Sequence, residues 1–149
     1  MAKSVAVQAT LTNEMLQFTA GAGDNPEIIF NYPPPMGDGP GYNPLELLLM
    51  SLAVCSSTAS VILLRGMGKT VSGVSVHAQG TLRRKPPTLF ETVVLEFIFT
   101  SPDATDHDVQ EAVRLAEETY CPVWAMLRDS VEVASTCTVM KPEKQIKSA

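Results

Sequence analysis

NPLELLLMSLAVCSSTASVILLRGMG, residues 43–68, is the longest apolar segment of the chain, with Glu46 as its only acid and Cys55 as its only cysteine. Asn43 is a helix-capping residue type, Pro44 suits a first helical position, and Glu46 stands three residues after the cap, the spacing of a capping box. Arg65-Gly66 reads as the C-terminal cap. A helix so marked has about 22 residues and, at ~1.5 Å per residue, runs roughly 33 Å, the width of a small domain. It is expected to pass through the middle of the molecule. Residues 45–64 also have the length of a membrane span. Ser51, Ser56, Ser57, Thr58 and Ser60 dilute that window, Glu46 lies within it, and no cluster of positive charge flanks it. A buried helix in a soluble protein is therefore expected, with no membrane partner.

Upstream, residues 5–10, 15–19 and 27–32 read as short strands, with Thr12-Asn13 and Gly21-Ala22-Gly23-Asp24 as turns, which makes an N-terminal β-meander. PPPMGDGPGYNP, 33–44, is too rich in Pro and Gly for a regular element and delivers the chain to the helix. Downstream, Val74, Val76, Ala78 and Leu82 alternate with polar residues, and Val93, Leu95, Phe97 and Phe99 repeat the pattern across a hairpin loop, RRKPPTLFE. Residues 105–119 read as an amphipathic helix with a Thr105/Asp108 cap. A second short helix begins at Pro122 with Cys121 at its cap, and Val131, Val133, Ser135, Cys137 and Val139 alternate in a last strand. KPEKQIKSA, 141–149, is a polar tail. Strands, long helix, strands, helices and strand make an α+β fold in one domain, 1–149.

The chain's 149 residues, 45% of them hydrophobic, suffice for one core. Sixteen acidic residues against 11 basic ones give a net charge of -5, and no basic run tracks phosphates, so nucleic acid is not an expected partner. The start, MAKSVAVQAT, has no secretory pattern, so the cytoplasm is the expected compartment. Three cysteines, Cys55, Cys121 and Cys137, without CxxC spacing, fit neither a disulfide scaffold nor a zinc site. In a reducing compartment they are packing or chemistry.

Cys55 has small and apolar helical neighbours, Ser51, Leu52, Thr58, Ala59 and Ile62, as a buried packing cysteine would. Cys121, at a helix N-terminus, faces unpaired N–H groups that favour its thiolate and lower its pKa. Glu46 reads as the helix cap, or as an acid that orients a basic partner near Cys55. Arg83 and Arg84 are hairpin charges of the kind that stabilises a thiolate and a polarised O–O bond. Cys137 faces the core. His77 and His107 share no ligand spacing, so no metal and no cofactor is expected.

NPLELLLMSLAVCSS resembles the first cysteine motif of the OsmC/Ohr family of thiol peroxidases, and AEETYCPVWAML resembles the second. GVSVHAQGTLRRKPPTLFETVVLEFIF, between them, is similar to the family's long hairpin, and the details fit an OsmC-like, YhfA-like branch. The resemblance implies an intertwined homodimer with active sites built from both chains. It implies Cys55 as the peroxidatic thiol, Cys121 as the resolving thiol, an organic hydroperoxide as substrate and an external dithiol as reductant. The glutamate of Ohr stands directly after the Pro, where this chain has Leu45; Glu46 comes one position later, ~100° around the helix. The family's arginine lies in the N-terminal strands, whereas the first arginine here is Arg65, so Arg84 or Arg83 would take its place. Two other readings stay open: a non-catalytic relative that binds a small hydrophobic ligand or senses oxidants, and a structural dimer with inert thiols.

Overall fold

A computed structural model describes residues 2–144. Of the expected polar tail, the part from 145 on lies outside the described residues. The chain gathers into two compact units, Met1–Leu48 and Leu49–Ala149.

In the first unit, β1 (Gln8–Leu11), β2 (Phe18–Gly21) and β3 (Ile28–Phe30) form an antiparallel meander in that order. Leu11 lies opposite Phe18, and Phe18 opposite Phe30. The three expected strands are present with shifted ends, and Asn13 explains one of the shifts. Its Oδ1 accepts from the backbone N–H groups of Met15 and Gln17, both at 3.0 Å, so 13–17 close as a turn and β2 begins at Phe18. Gly23 supplies the left-handed residue of the next turn, with φ 57. The Pro- and Gly-rich stretch folds back on the end of β3. There Asn31, 2% exposed, donates to Asp38 Oδ1 at 3.0 Å and accepts from the Tyr32 N–H at 2.8 Å. A Cβ on Gly37 would fall 2.1 Å from the Tyr32 carbonyl oxygen, so only glycine fits.

α1 spans Pro44–Gly66. The capping box is formed in both directions: the Asn43 N–H donates to Glu46 Oε2 and the Glu46 N–H to Asn43 Oδ1, each at 2.9 Å. The helix stops slightly later than expected. Gly66 stays helical, and Gly68, with φ 78, turns the chain; its N–H donates to the Arg65 carbonyl and that of Lys69 to the Leu64 carbonyl, both at 3.0 Å. Four of the five hydroxyls that dilute the apolar window, all but that of Ser51, bond to the helix itself. Ser56 donates to the Leu52 carbonyl, Ser57 to Ala53, Thr58 to Val54 and Ser60 to Ser56, at 2.6 to 2.8 Å. Leu52, Ser56, Ser60 and Leu64, four residues apart, make one fully buried stripe.

The second unit is built on β4 (Gly73–Leu82), β5 (Phe90–Thr100) and β6 (Glu132–Met140), with β5 in the centre. β4 pairs antiparallel with β5 and β6 pairs parallel with it. Alternation along β5 buries Phe90, Val93, Leu95, Phe97 and Phe99 and leaves Val94, Glu96 and Ile98 exposed. The Phe97 and Phe99 rings stack with centroids 6.0 Å apart. α2 (Asp106–Leu115) lies against β6 and buries Val109, Ala112 and Val113. Thr105 and Asp108 form its capping box as expected. Lys69 bridges to Asp108 at 3.2 Å, and the Thr70 N–H donates to Asp103 Oδ1 at 2.8 Å, which ties the end of α1 to the start of α2.

Candidate functional site

The helix expected to reach Thr119 changes character after Leu115. Residues Ala116–Tyr120 form a π-turn, closed by the Cys121 N–H donating to the Ala116 carbonyl at 2.8 Å. Pro122 offers no N–H and its ring opposes a continuing helix, so the chain breaks there and restarts as α3 (Pro122–Leu127). Cys121 is the N-cap of α3, as the sequence implied, and its Sγ accepts from the Trp124 N–H at 3.4 Å.

The expected consequence for its pKa is corrected by the structure. Cys121 is 2% exposed, and burial pushes its pKa up to about 11. The Trp124 N–H pulls the other way but does not prevail, and Cys55 adds to the rise through a contact between the thiols and through its charge. Removing a charge from water outweighs one weak N–H···S bond. Tyr120 and Pro122, on either side of Cys121, line one cleft with Cys55, although 66 positions separate the two cysteines in sequence.

Cys55 is half-buried on α1. It opens into a cleft of about 610 Å³ lined by Thr58, Ala59, Ile62 and Leu63 of α1 and by Tyr120 and Pro122. Apart from Cys55, Thr58 and Tyr120 the walls are carbon, and the Thr58 hydroxyl is spent on the Val54 carbonyl.

Among the other expected site residues, Glu46 is exposed in the first turn of α1 with its carboxylate in the capping box. Arg83 donates to the Pro87 carbonyl within the hairpin loop. Arg84 is exposed beside it and makes no side-chain hydrogen bond or ion pair among the described residues. Arg65 lines a neighbouring cleft with Val74 and Val76. No arginine is among the residues that line the thiol cleft. Cys137 is half-buried on β6, its pKa raised by burial and by the charges of Glu117 and Asp106. Among the described residues no group of three or more His, Cys, Asp or Glu side chains is placed to hold a metal ion.

Tyr120 is not among the expected site residues; it follows directly on the helix expected over 105–119. The π-turn carries it to the cleft instead, 58% exposed. The signal for this was its place directly before Cys-Pro, where a regular helix has to end.

The profile of the family described as OsmC-like protein matches residues 37–136. This chain belongs to the OsmC-like family. The matched span carries both thiols of the site. Solved structures agree with this OsmC-like fold over nearly the whole chain. A hypothetical protein from Aquifex aeolicus VF5 has a TM-score of 0.83 at 25% identity, covering 95% of this chain and 100% of that one. An OsmC-like protein from Mycoplasma pneumoniae has a TM-score of 0.80 at 21% identity, covering 94% and 99%. An organic hydroperoxide resistance protein OsmC from Legionella pneumophila has a TM-score of 0.73 at 19% identity, covering 93% and 99%. No curated protein matches. The α+β architecture is thus that of OsmC-like proteins. α1 has the length and composition to cross a membrane, and membership of a family of soluble proteins supports a soluble state.

Proposed function

We propose that this chain, as one OsmC-like domain over residues 1–149, is a cytoplasmic two-cysteine peroxidase that reduces organic hydroperoxides. The observation that supports this reading is that Cys55 lines an apolar cleft together with Tyr120 and Pro122, the residues on either side of Cys121. The Cys55 thiolate attacks the terminal oxygen of the peroxide. The O–O bond breaks, Cys55 becomes a sulfenic acid, and the substrate leaves as an alcohol once its oxygen takes a proton. The Cys121 thiol then condenses with the sulfenic acid to give a disulfide and one water. An external dithiol reduces that disulfide by exchange and leaves with the two electrons' worth of oxidation. Carbon walls favour an alkyl hydroperoxide over hydrogen peroxide. Organic hydroperoxide resistance in the Legionella relative agrees with this chemistry.

We also propose a homodimer. Val54 and Ile62 on α1 are 66% and 64% exposed, and none of the large apolar side chains in 2–48 is buried among the described residues. Surfaces of this kind are interfaces.

Cumene hydroperoxide, added to reduced protein and followed by mass analysis under non-reducing conditions, tests the cycle. A Cys55–Cys121 disulfide is expected; Cys55→Ser abolishes peroxide consumption, and Cys121→Ser stalls at the sulfenic acid. Peroxide consumption that survives Cys55→Ser sinks the proposal. One observation favours a second reading, a ligand-binding or oxidant-sensing relative: no arginine lines the cleft. Native mass spectrometry that retains an organic ligand on protein with unreactive thiols would support it.

A further inference from the structure

We propose that Tyr120 is a further catalytic residue of the site, the proton donor to the oxygen that leaves when Cys55 cleaves a hydroperoxide. The inference rests on the peroxidase reading above and adds a residue to it. Attack by a thiolate on R–O–O–H gives Cys55–S–OH and R–O⁻, and an alkoxide is a poor leaving group unless a proton reaches it as the bond breaks. The cleft offers few sources for that proton. Ala59, Ile62 and Leu63 are hydrocarbon, Pro122 has no N–H, and the Thr58 hydroxyl already donates to the Val54 carbonyl at 2.8 Å. No arginine or lysine is among the lining residues. The Tyr120 hydroxyl makes no hydrogen bond among the described residues, and the residue, 58% exposed, lines the cleft.

Position supports the same assignment. Tyr120 closes the π-turn Ala116–Tyr120 and directly precedes the buried Cys121, and the residues on either side of that thiol, Tyr120 and Pro122, line the cleft with Cys55. The backbone that brings the second thiol to the first therefore brings the phenol too. In the step so completed, the Cys55 sulfur loses two electrons, the peroxide gains them, and the phenol proton passes to the alkoxide to give the alcohol. Water then restores the phenol.

The test compares two oxidants that differ in what the leaving group needs. Cumene hydroperoxide expels an alkoxide and requires a proton; peroxybenzoic acid expels a carboxylate and does not. Cys55 oxidation is followed by trapping the sulfenic acid in Cys121→Ser protein, with and without Tyr120→Phe. Tyr120→Phe keeps the ring and removes only the hydroxyl. The expected result is a fall of about a hundredfold with cumene hydroperoxide, the low end for a positioned general acid, and an unchanged rate with peroxybenzoic acid. Equal loss with both oxidants makes Tyr120 a wall of the cleft and overturns the inference, as does no loss with either. A Cys55→Ser protein that consumes cumene hydroperoxide at the full rate instead removes the peroxidase reading itself.

Discussion

Cys121 shows how a local signal and its environment can pull in opposite directions. The Trp124 N–H favours its thiolate, burial opposes it more strongly, and the balance stands at about 11. Very little of Cys121 is then ionised at pH 7, so alkylation of this thiol in the native protein should be negligible near neutrality and rise steeply with pH. In Cys55→Ser protein the repulsion and the thiol contact are gone, and the rise should begin at lower pH while staying above the ordinary range, because burial remains. Iodoacetamide labelling against pH, resolved by peptide mass, checks both. Stability carries the same sign. The folded state holds the proton more tightly than the unfolded chain, so this contribution is whole below about pH 9 and is lost as pH rises toward 11. The cap at Cys121 was legible from Cys-Pro alone. The direction of its pKa was not, because burial depends on chain far away in sequence.

Elements whose ends are set by neighbouring residues were the most legible. Asn43, Pro44 and Glu46 mark the start of α1, and Thr105 and Asp108 that of α2, through bonds that span three residues. Asn43→Ala is expected to cost about 1 kcal/mol, the usual cost of a lost N-cap, measured by denaturant titration. Glu46→Gln keeps an acceptor for the Asn43 N–H and should cost less. A fall in peroxide turnover without a matching fall in stability would assign Glu46 to the chemistry as well as to the cap. Strand ends were harder to read, since the Asn13 turn borrows residues that alternate like a strand. The parallel pairing of β6 with β5 leaves no local trace, because the two are joined through α2 and α3. The π-turn was invisible for a related reason: 116–120 have ordinary helical composition, and only the break at Pro122 signals a change.

Over the whole molecule, α1 and the meander both leave large apolar side chains exposed, Val54 and Ile62 on the one and Leu11 and Ile29 on the other. The proposed homodimer predicts a sedimentation mass of twice the monomer. Val54→Asp would bury a charge at the contact and should weaken association at least tenfold, which dilution in the ultracentrifuge reads directly. A monomer at all concentrations would remove that proposal and leave the chemistry of the two thiols standing. The inward-turned hydroxyls of α1 have a further effect. Thr58 gives its proton to the helix backbone, so the α1 wall of the cleft beside Cys55 offers water no free hydroxyl donor. Such a surface dewets readily, and an incoming alkyl chain displaces water that was loosely kept. A helix rich in serine and threonine thus presents a largely carbon wall to the cleft.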